Sequence, residues 1–304
     1  MKNVLIEGAG LAGQVLHREL TLRGIPSRLT DRAVFPRDKV CGGVLQADSW
    51  DYLNSLFDLP KDLKRIDAIS HFWKGKRISQ ITLKEPMVFI SRIVLDDTLN
   101  RQQSSPVGFD SANCLRVTAF GARHPQGDWI GFQGETEPVE EVQMHYGRGI
   151  YLGLAPATAE QSHMAMIVKR DLFKDQEQLK GFIRKELSLS VTLPLKGTAG
   201  IHYHASSAEN LAVGDAKLTT HPFLGLGMKH AILSARLLAA LIAEGNEDQY
   251  SERHRRLFRK YRWASWAAGG LYDSRFQFLL RPLLQSPPLF LSAYRFLHRS
   301  GAGL

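Results

Sequence analysis

The strongest constraint on the fold is a Gly-x-Gly-x-x-Gly run, Gly8 to Gly13. It lies directly after the apolar residues 2–7 and opens a helical pattern from Leu11 to Leu22. Each glycine in such a run has a mechanical role. Gly8 permits the tight turn, Gly10 lets backbone approach a pyrophosphate, and Gly13 allows close helix–strand packing. Leu11 and Ala12 open the helix, where free N–H groups and the positive helix end converge on an anion. A second strand is expected over Ser27–Thr30, and Asp31 stands at its end, followed by Arg32. An acid there can hydrogen-bond the hydroxyls of an adenosine ribose and repels a 2′-phosphate. The pattern predicts a βαβ dinucleotide site and leaves NAD and FAD as equal alternatives.

The remaining chain reads as a mixture. Helices are expected at Ala47–Phe57, Leu95–Gln103, Gln176–Leu187 and from about Gly225 to Ala243. Ile78–Leu83 and Met87–Ile90 read as strands. Between Leu115 and Val168, short alternating segments separated by Gly, Pro and charged turns predict an antiparallel sheet inserted into the dinucleotide unit. Further strands are expected near Gly200–His204 and Leu211–Val213.

Three more segments carry a resemblance. Phe35-Pro36-Arg37-Asp38-Lys39-Val40-Cys41-Gly42-Gly43 resembles a loop of the geranylgeranyl reductase family of flavoproteins. Ser91-Arg92-Ile93-Val94-Leu95-Asp96 resembles the segment that opens the next helix there, and Leu211 to Ala216, with Pro222, Gly225, Gly227 and Met228, resembles the second FAD fingerprint. Order and spacing agree from residue 1 to about 245. The wider group holds the aromatic hydroxylases related to p-hydroxybenzoate hydroxylase and the flavin halogenases.

FAD, with NAD(P)H as a transient electron donor, is what this resemblance implies. So is an α/β fold: a Rossmann-like FAD-binding domain (1–66, 91–122, 196–252) interleaved with an antiparallel-sheet substrate domain (67–90, 123–195). A helical C-terminal segment (253–304) completes it. In these roles Arg37 and Arg92 brace phosphate or adenosine, while Gly214 and Asp215 reach the ribityl chain. Pro222, Gly225, Gly227 and Met228 pass close to the ring, with the following helix aimed at it. Cys41, Gly42 and Gly43 form a substrate-side loop, with Cys41 the candidate catalytic residue. The implied reaction is reduction of a carbon–carbon double bond in a hydrophobic small molecule, with hydroxylation as the alternative. A flavoprotein without substrate chemistry of its own, at a membrane surface, is a further one.

Several departures qualify the resemblance. Lys217 and Leu218 follow Gly214-Asp215-Ala216 in place of Ala-Gly, and Leu226 replaces an acid. The Asp-Gly motif of the hydroxylases is missing at Val117–Ala122, and the WxWxIP run of the halogenases is absent, which argues against halogenation.

Composition adds location and partners. The two cysteines, Cys41 and Cys114, make no disulfide framework, and no Cys/His spacing suggests a metal. His202 and His204 alternate on an expected strand without a third ligand. A reducing cytoplasm is expected, since Met1-Lys2-Asn3 leads straight into the first strand without a signal-type segment.

The net charge of +9 resides wholly in the C-terminal segment. Residues 253–304 hold ten Lys/Arg and one acid, and the first 252 residues hold 29 of each sign. Tryptophans, phenylalanines and leucines are interleaved with the arginines. A tail docked on the fold and a peripheral element at the inner face of the membrane both fit. Nucleic acid is not expected, because no recognised module accompanies the charge.

Overall fold

The computed structural model describes residues 3–104, 109, 113–122, 127–201, 211–273 and 277–299. The chain starts with β1 (Asn3–Glu7), α1 (Leu11–Leu22) and β2 (Ser27–Thr30). It continues through β3 (Val44–Leu45), α2 (Ala47–Leu56), β4 (Arg65–Trp73), β5 (Lys76–Phe89) and α3 (Arg92–Arg101). Next come β6 (Cys114–Thr118), β7 (Trp129–Thr136), β8 (Val142–Gly147), β9 (Ile150–Pro156) and β10 (Ser162–Lys169). α4 (Gln176–Leu187), β11 (Lys196–Ile201) and α5 (Gly227–Glu244) precede a helical end. That end comprises α6 (Tyr250–Leu257), α7 (Arg259–Asp273), α8 (Arg281–Gln285) and α9 (Pro287–His298).

The expected βαβ start is present. β1 lies at the centre of a parallel sheet in the order β2-β1-β6, with Val4 and Ile6 fully buried. Leu11, Val15, Leu16 and Leu20 put one apolar face of α1 into the core it shares with Ala235 and Leu238 of α5. Residues 211–213 are not a full strand: Ala212 bridges to Thr118 alone.

The second sheet has eight strands in the order β11-β7-β10-β9-β8-β4-β5-β3. It is antiparallel apart from one parallel pair, β4 with β8, which the sequence pattern did not anticipate. The two strands expected at 78–90 are one strand, β5. It runs through Pro86 because the register against β4 shifts between Ile66 and Ala68, where a residue without an N–H is tolerated. The sheet also exceeds the expected substrate segments. β3 pairs β5, and β11 pairs β7, so 44–45 and 196–201 pair into this sheet.

Its two faces follow the period of two. On β9, Ile150, Leu152 and Leu154 pack with Leu179, Ile183 and Leu187 of α4, while Ala155 faces a core that contains Phe223 and Phe290.

The C-terminal segment is docked on the fold. Tyr250, Phe258 and Tyr261 join the first core, and Ala268, Leu280, Leu284 and Phe290 the second. Ser79 Oγ donates to the Leu284 carbonyl at 2.5 Å, and the buried Lys229 Nζ at the start of α5 donates to the His298 carbonyl and to Asp48. Among the described residues, no helix is long and apolar enough to cross a membrane.

Burial holds five histidines neutral: His71, His145 and His230 at about 4, His298 at about 3 and His254 at about 2. The unfolded chain takes up these protons near the ordinary value of about 6.5, so below it the unfolded state binds more protons and gains stability. Folding stability is therefore full above about pH 7 and falls as pH drops from about 6.5 towards 4, by up to about 1.4 kcal/mol per unit for each histidine. Urea midpoints at pH 7.5 and 5.0 should show a clear loss at the lower pH. An unchanged midpoint would contradict the neutral, buried assignment.

Candidate functional site

The glycine loop is shaped by what it touches. A Cβ on Gly13 would lie 1.9 Å from the Gly8 carbonyl oxygen, so α1 can approach β1 only without a side chain there. Gly8 has φ +121°, and its Cβ would meet the Ala119 carbonyl carbon and Phe120 nitrogen at 2.4 Å. The first glycine thus serves the turn and also admits the chain leaving β6. Gly10 is different: its Cβ would meet only a guanidinium nitrogen of Arg37, at 3.1 Å. Asp31 closes the loop from the second strand, since its carboxylate accepts from Ala9 N–H at 2.7 Å and Ala33 N–H at 2.9 Å. Gln14 Nε2, fully buried, donates to the carbonyls of Ala9 and Asp96, both at 2.9 Å.

Two arginines converge on one carboxylate. Arg92 donates from Nε and Nη2 to Asp96 at 2.9 and 2.8 Å, the bidentate fork of an i,i+4 pair. Arg37 reaches the same Asp96 at 3.4 Å. Burial opposes the charge of Arg92, but the Asp96 carboxylate, followed by the neighbouring Cys41, holds its pKa above the ordinary value. Two cations on one anion leave a net positive charge beside the glycine loop, suited to an anionic ligand.

The loop carrying residues 35–43 is fastened to both halves of the molecule. Cys41 N–H donates to Gln133 of β7 at 3.2 Å, and His163 of β10 bonds the Cys41 carbonyl at 2.8 Å. Gln133 and Lys196 both donate to Asp38 at 2.8 Å. On the other side Lys39 pairs with Asp215 at 3.1 Å. Burial pushes Asp215 up, yet Lys39 foremost, with His230 and Arg92, holds its carboxyl below the ordinary range. Both cysteines are free thiols.

Gly214 is held by a bond from its N–H to Ser234 Oγ at 2.9 Å. Its Cβ would stand 2.8 Å from that of Ala12, so here α1 and α5 meet across the second glycine segment. Gly225 has φ +63° and ends the short turn that starts at Pro222. α5 begins at Gly227, two residues later than expected, without a side-chain cap or an acid in its first turn. Its free N–H groups therefore remain available to a ligand.

These pieces line one cavity of about 1080 Å³, at the upper end of the size of ligand sites. Of the expected binding residues, Gly8, Gly10, Leu11, Ala12, Asp31, Arg32, Arg37, Cys41, Gly42 and Gly43 border it. So do Arg92, Gly214, Asp215, Pro222, Gly225, Gly227 and Met228; Gly13 alone does not, because it is spent on helix packing. Gly42 has ordinary φ and nothing within 4 Å of its missing Cβ. Among the described residues no contact requires a glycine there, and the position faces the open space of the cavity.

The far end is apolar. Ile69, Met87, Val142, Met144 and Met166 come from the large sheet, and Leu283, Phe290 and Leu297 from the C-terminal helices. Tyr151 and Tyr294 add hydroxyls, both held protonated because burial raises their pKa.

Several residues at the site lie outside the expected set. Asp96 could have been found from its four-residue spacing to Arg92. Gln133, His163, Lys196 and the cavity face of α9 could not, since their partners are remote in the chain. The expected histidine pair His202 and His204 lies outside the described residues. His221 and His230 are both buried, and His230 bonds His254 at 3.0 Å. Among the described residues no group of three or more His, Cys, Asp or Glu is placed to hold a metal.

No protein-family model and no curated protein matches the chain. Solved structures do match in fold. A variant of HpxO from Klebsiella pneumoniae, complexed with FAD, superposes with a TM-score of 0.71 at 14% identity over 98% of both chains. A geranylgeranyl bacteriochlorophyll reductase-like protein from Thermoplasma acidophilum gives 0.69 at 14% identity, over 98% of this chain and 97% of that one. PqsL from P. aeruginosa, in complex with 2-aminobenzoylacetate, gives 0.67 at 14% identity over 96% and 99%. The α/β fold with interleaved sheets is shared with these proteins. The likeness spreads evenly over them and does not single out the reductase branch.

Asp96→Ala should destabilise the fold by about 3–5 kcal/mol, because Arg92 would remain buried without a counter-charge. Denaturant titration at pH 7.5 measures this. A loss under about 1 kcal/mol would mean that water or another group relieves Arg92.

Proposed function

We propose that the chain is an FAD-dependent oxidoreductase acting on an apolar organic substrate, with reduction of a carbon–carbon double bond as its reaction. The observation that carries this reading is the single cavity. One end is built from a glycine loop, a helix start and excess positive charge, and the other from apolar side chains with two protonated tyrosines. A dinucleotide needs the first and a greasy ligand the second. The shared fold with FAD-complexed HpxO supports FAD over NAD, as does Asp215 at the second glycine segment.

In this reading Gly10 and the N–H groups of Leu11 and Ala12, with Arg37 and Arg92 behind them, hold the pyrophosphate. Asp31 accepts from the adenosine ribose with its remaining lone pairs, and Arg32 borders the same end. Asp215, poised by Lys39, orients the ribityl chain, and the uncapped start of α5 favours negative charge on the ring. Bound FAD would supply the hydride, as the chemistry belongs to the cofactor. Cys41, Gly42 and Gly43 would form a thin side wall of the cavity where ring and substrate meet, and the apolar end would exclude water. Tyr151 and Tyr294 hold protons that the second carbon of a reduced double bond requires. NAD(P)H is assigned as the transient donor on the resemblance alone.

Hydroxylation is the second reading. It is favoured by the likeness to PqsL, itself a candidate FAD-dependent monooxygenase. The two readings differ in whether reduced protein needs oxygen to turn over substrate.

Purified protein should be yellow with FAD released on denaturation. Gly10→Val should fold but lose flavin, and Asp31→Ala should weaken affinity by about 1.5–3 kcal/mol, one charge-assisted hydrogen bond. Gly42→Val should keep the unfolding midpoint and lower flavin occupancy. Colourless wild-type protein that does not take up added FAD would end the proposal. Anaerobic reoxidation of reduced protein by an unsaturated apolar compound supports reduction; product formed only with oxygen supports hydroxylation.

A further inference from the structure

Docking of the C-terminal segment uses only one side of its helices. Along α6 and α7, His254, Phe258, Tyr261, Ser265 and Ala268 are buried at spacings of four, three, four and three residues. The helical bonding continues across the junction, from Phe258 N–H to the His254 carbonyl and from Arg262 N–H to the Phe258 carbonyl. The opposite face is therefore one continuous stripe. It carries Arg255, Arg256, Arg259 and Arg262, then Trp263 and Trp266, each tryptophan 63% exposed and the two rings edge to face at 5.6 Å.

α9 repeats the division. Phe290, Tyr294 and Leu297 turn inward to the cavity, while Leu289, Arg295, Phe296 and Arg299 are exposed, Phe296 by 66%. The two outward faces adjoin, since Lys260 of α7 donates to the Phe296 carbonyl at 3.0 Å and its ammonium stands over the Phe296 ring.

A solvated basic face would not need these aromatic groups. Six of the eleven large apolar side chains exposed among the described residues belong to this segment: Trp263, Trp266, Phe278, Leu279, Leu289 and Phe296. Nor is the charge neutralised within the fold: none of the six arginines on these two faces makes an ion pair among the described residues.

From this juxtaposition we infer that the outer face of α6–α7 and α9 docks on the surface of an anionic lipid bilayer. Arginines would sit at headgroup level, and tryptophan and phenylalanine would enter the interface, the arrangement that interfacial helices adopt. Charge complementarity selects the partner, because the whole excess of +9 lies in this segment and the rest of the chain is neutral. The position has a consequence that rests on the proposed function. α9 is a single layer between the docked surface and the apolar end of the cavity, so an apolar substrate dissolved in the bilayer would be one helix away from its site.

The test uses full-length, cofactor-loaded protein and vesicles of phosphatidylcholine alone or with 30–40% phosphatidylglycerol, a composition of our choosing (about a third anionic lipid). Expected is co-sedimentation with the anionic vesicles at low salt, little with the neutral ones, and a blue shift of tryptophan emission on binding. Trp263→Ala/Trp266→Ala leaves the charge unchanged and should weaken binding by at least about tenfold, since two interfacial anchors are lost. The quadruple variant Arg255→Gln/Arg256→Gln/Arg259→Gln/Arg262→Gln should weaken it on the order of a hundredfold or more. The exposed positions keep both variants folded, which circular dichroism and flavin content verify.

Absence of binding to anionic vesicles at low salt would overturn the proposal. Vesicle binding insensitive to the tryptophans and matched by binding to duplex DNA would also overturn it, and would identify a general polyanion patch. Binding is measured without substrate or turnover, so failure of the proposed reaction and failure of the docking surface are separate results.

Discussion

The architecture depends on the contact between Gly13 and the Gly8 carbonyl. With no side chain at either position, α1 lies against the end of β1, and the chain leaving β6 crosses close behind. That approach brings the N–H groups of the helix start to a fixed place at the mouth of the parallel sheet. It also brings α1 near enough to α5 for Ala12 to meet the second glycine segment at Gly214. Two cavity-lining segments, separated by two hundred residues, thus become one wall because small residues stand at each crossing.

The loop from Phe35 to Gly43 is the other fixed part. It emerges from the βαβ unit of the parallel sheet, yet its hydrogen bonds go to β7, β10 and β11 of the large sheet, and its Lys39 returns to Asp215. A loop bonded in this way acts as a strut between the halves of the molecule. The trio of half-buried Arg37 with buried Asp96 and Arg92 carries the same tie into the first core. Such a trio contributes little net stability, because desolvation offsets the attraction. Its contribution is position and sign: a cationic surface whose two arginine side chains are held in place by one carboxylate.

The C-terminal segment completes the cavity. Its inner faces supply part of the apolar end, and Lys229 ties its last helix to the start of α5, the same helix whose free N–H groups face the cavity. The outer faces are free of that duty and carry the charge. The division follows from helical geometry, since a period of 3.6 lets one helix serve a core on one side and a different environment on the other.

Local features of the chain were readable without a structure. The βαβ start, Asp31 at the second strand, α4 and the docked or interfacial ambivalence of the basic tail all follow from patterns within a few turns. Glycine spacing and side-chain period are set by backbone sterics, which act locally. The sequence also indicated Arg37, Arg92, Asp215 and the glycines that border the cavity, through resemblance and not through periodicity. Tertiary structure alone decided the parallel pairing of β4 with β8, the inclusion of β3 and β11 in the large sheet, the anchoring of Cys41 by Gln133 and His163, and the closing of the cavity by α9. All of these contacts join residues more than forty positions apart, and the longest, between Met87 and Tyr294 of α9, spans 207. A contact of that kind leaves no repeat or spacing in the chain, because it is chosen by which surfaces remain to be buried once the local elements have formed.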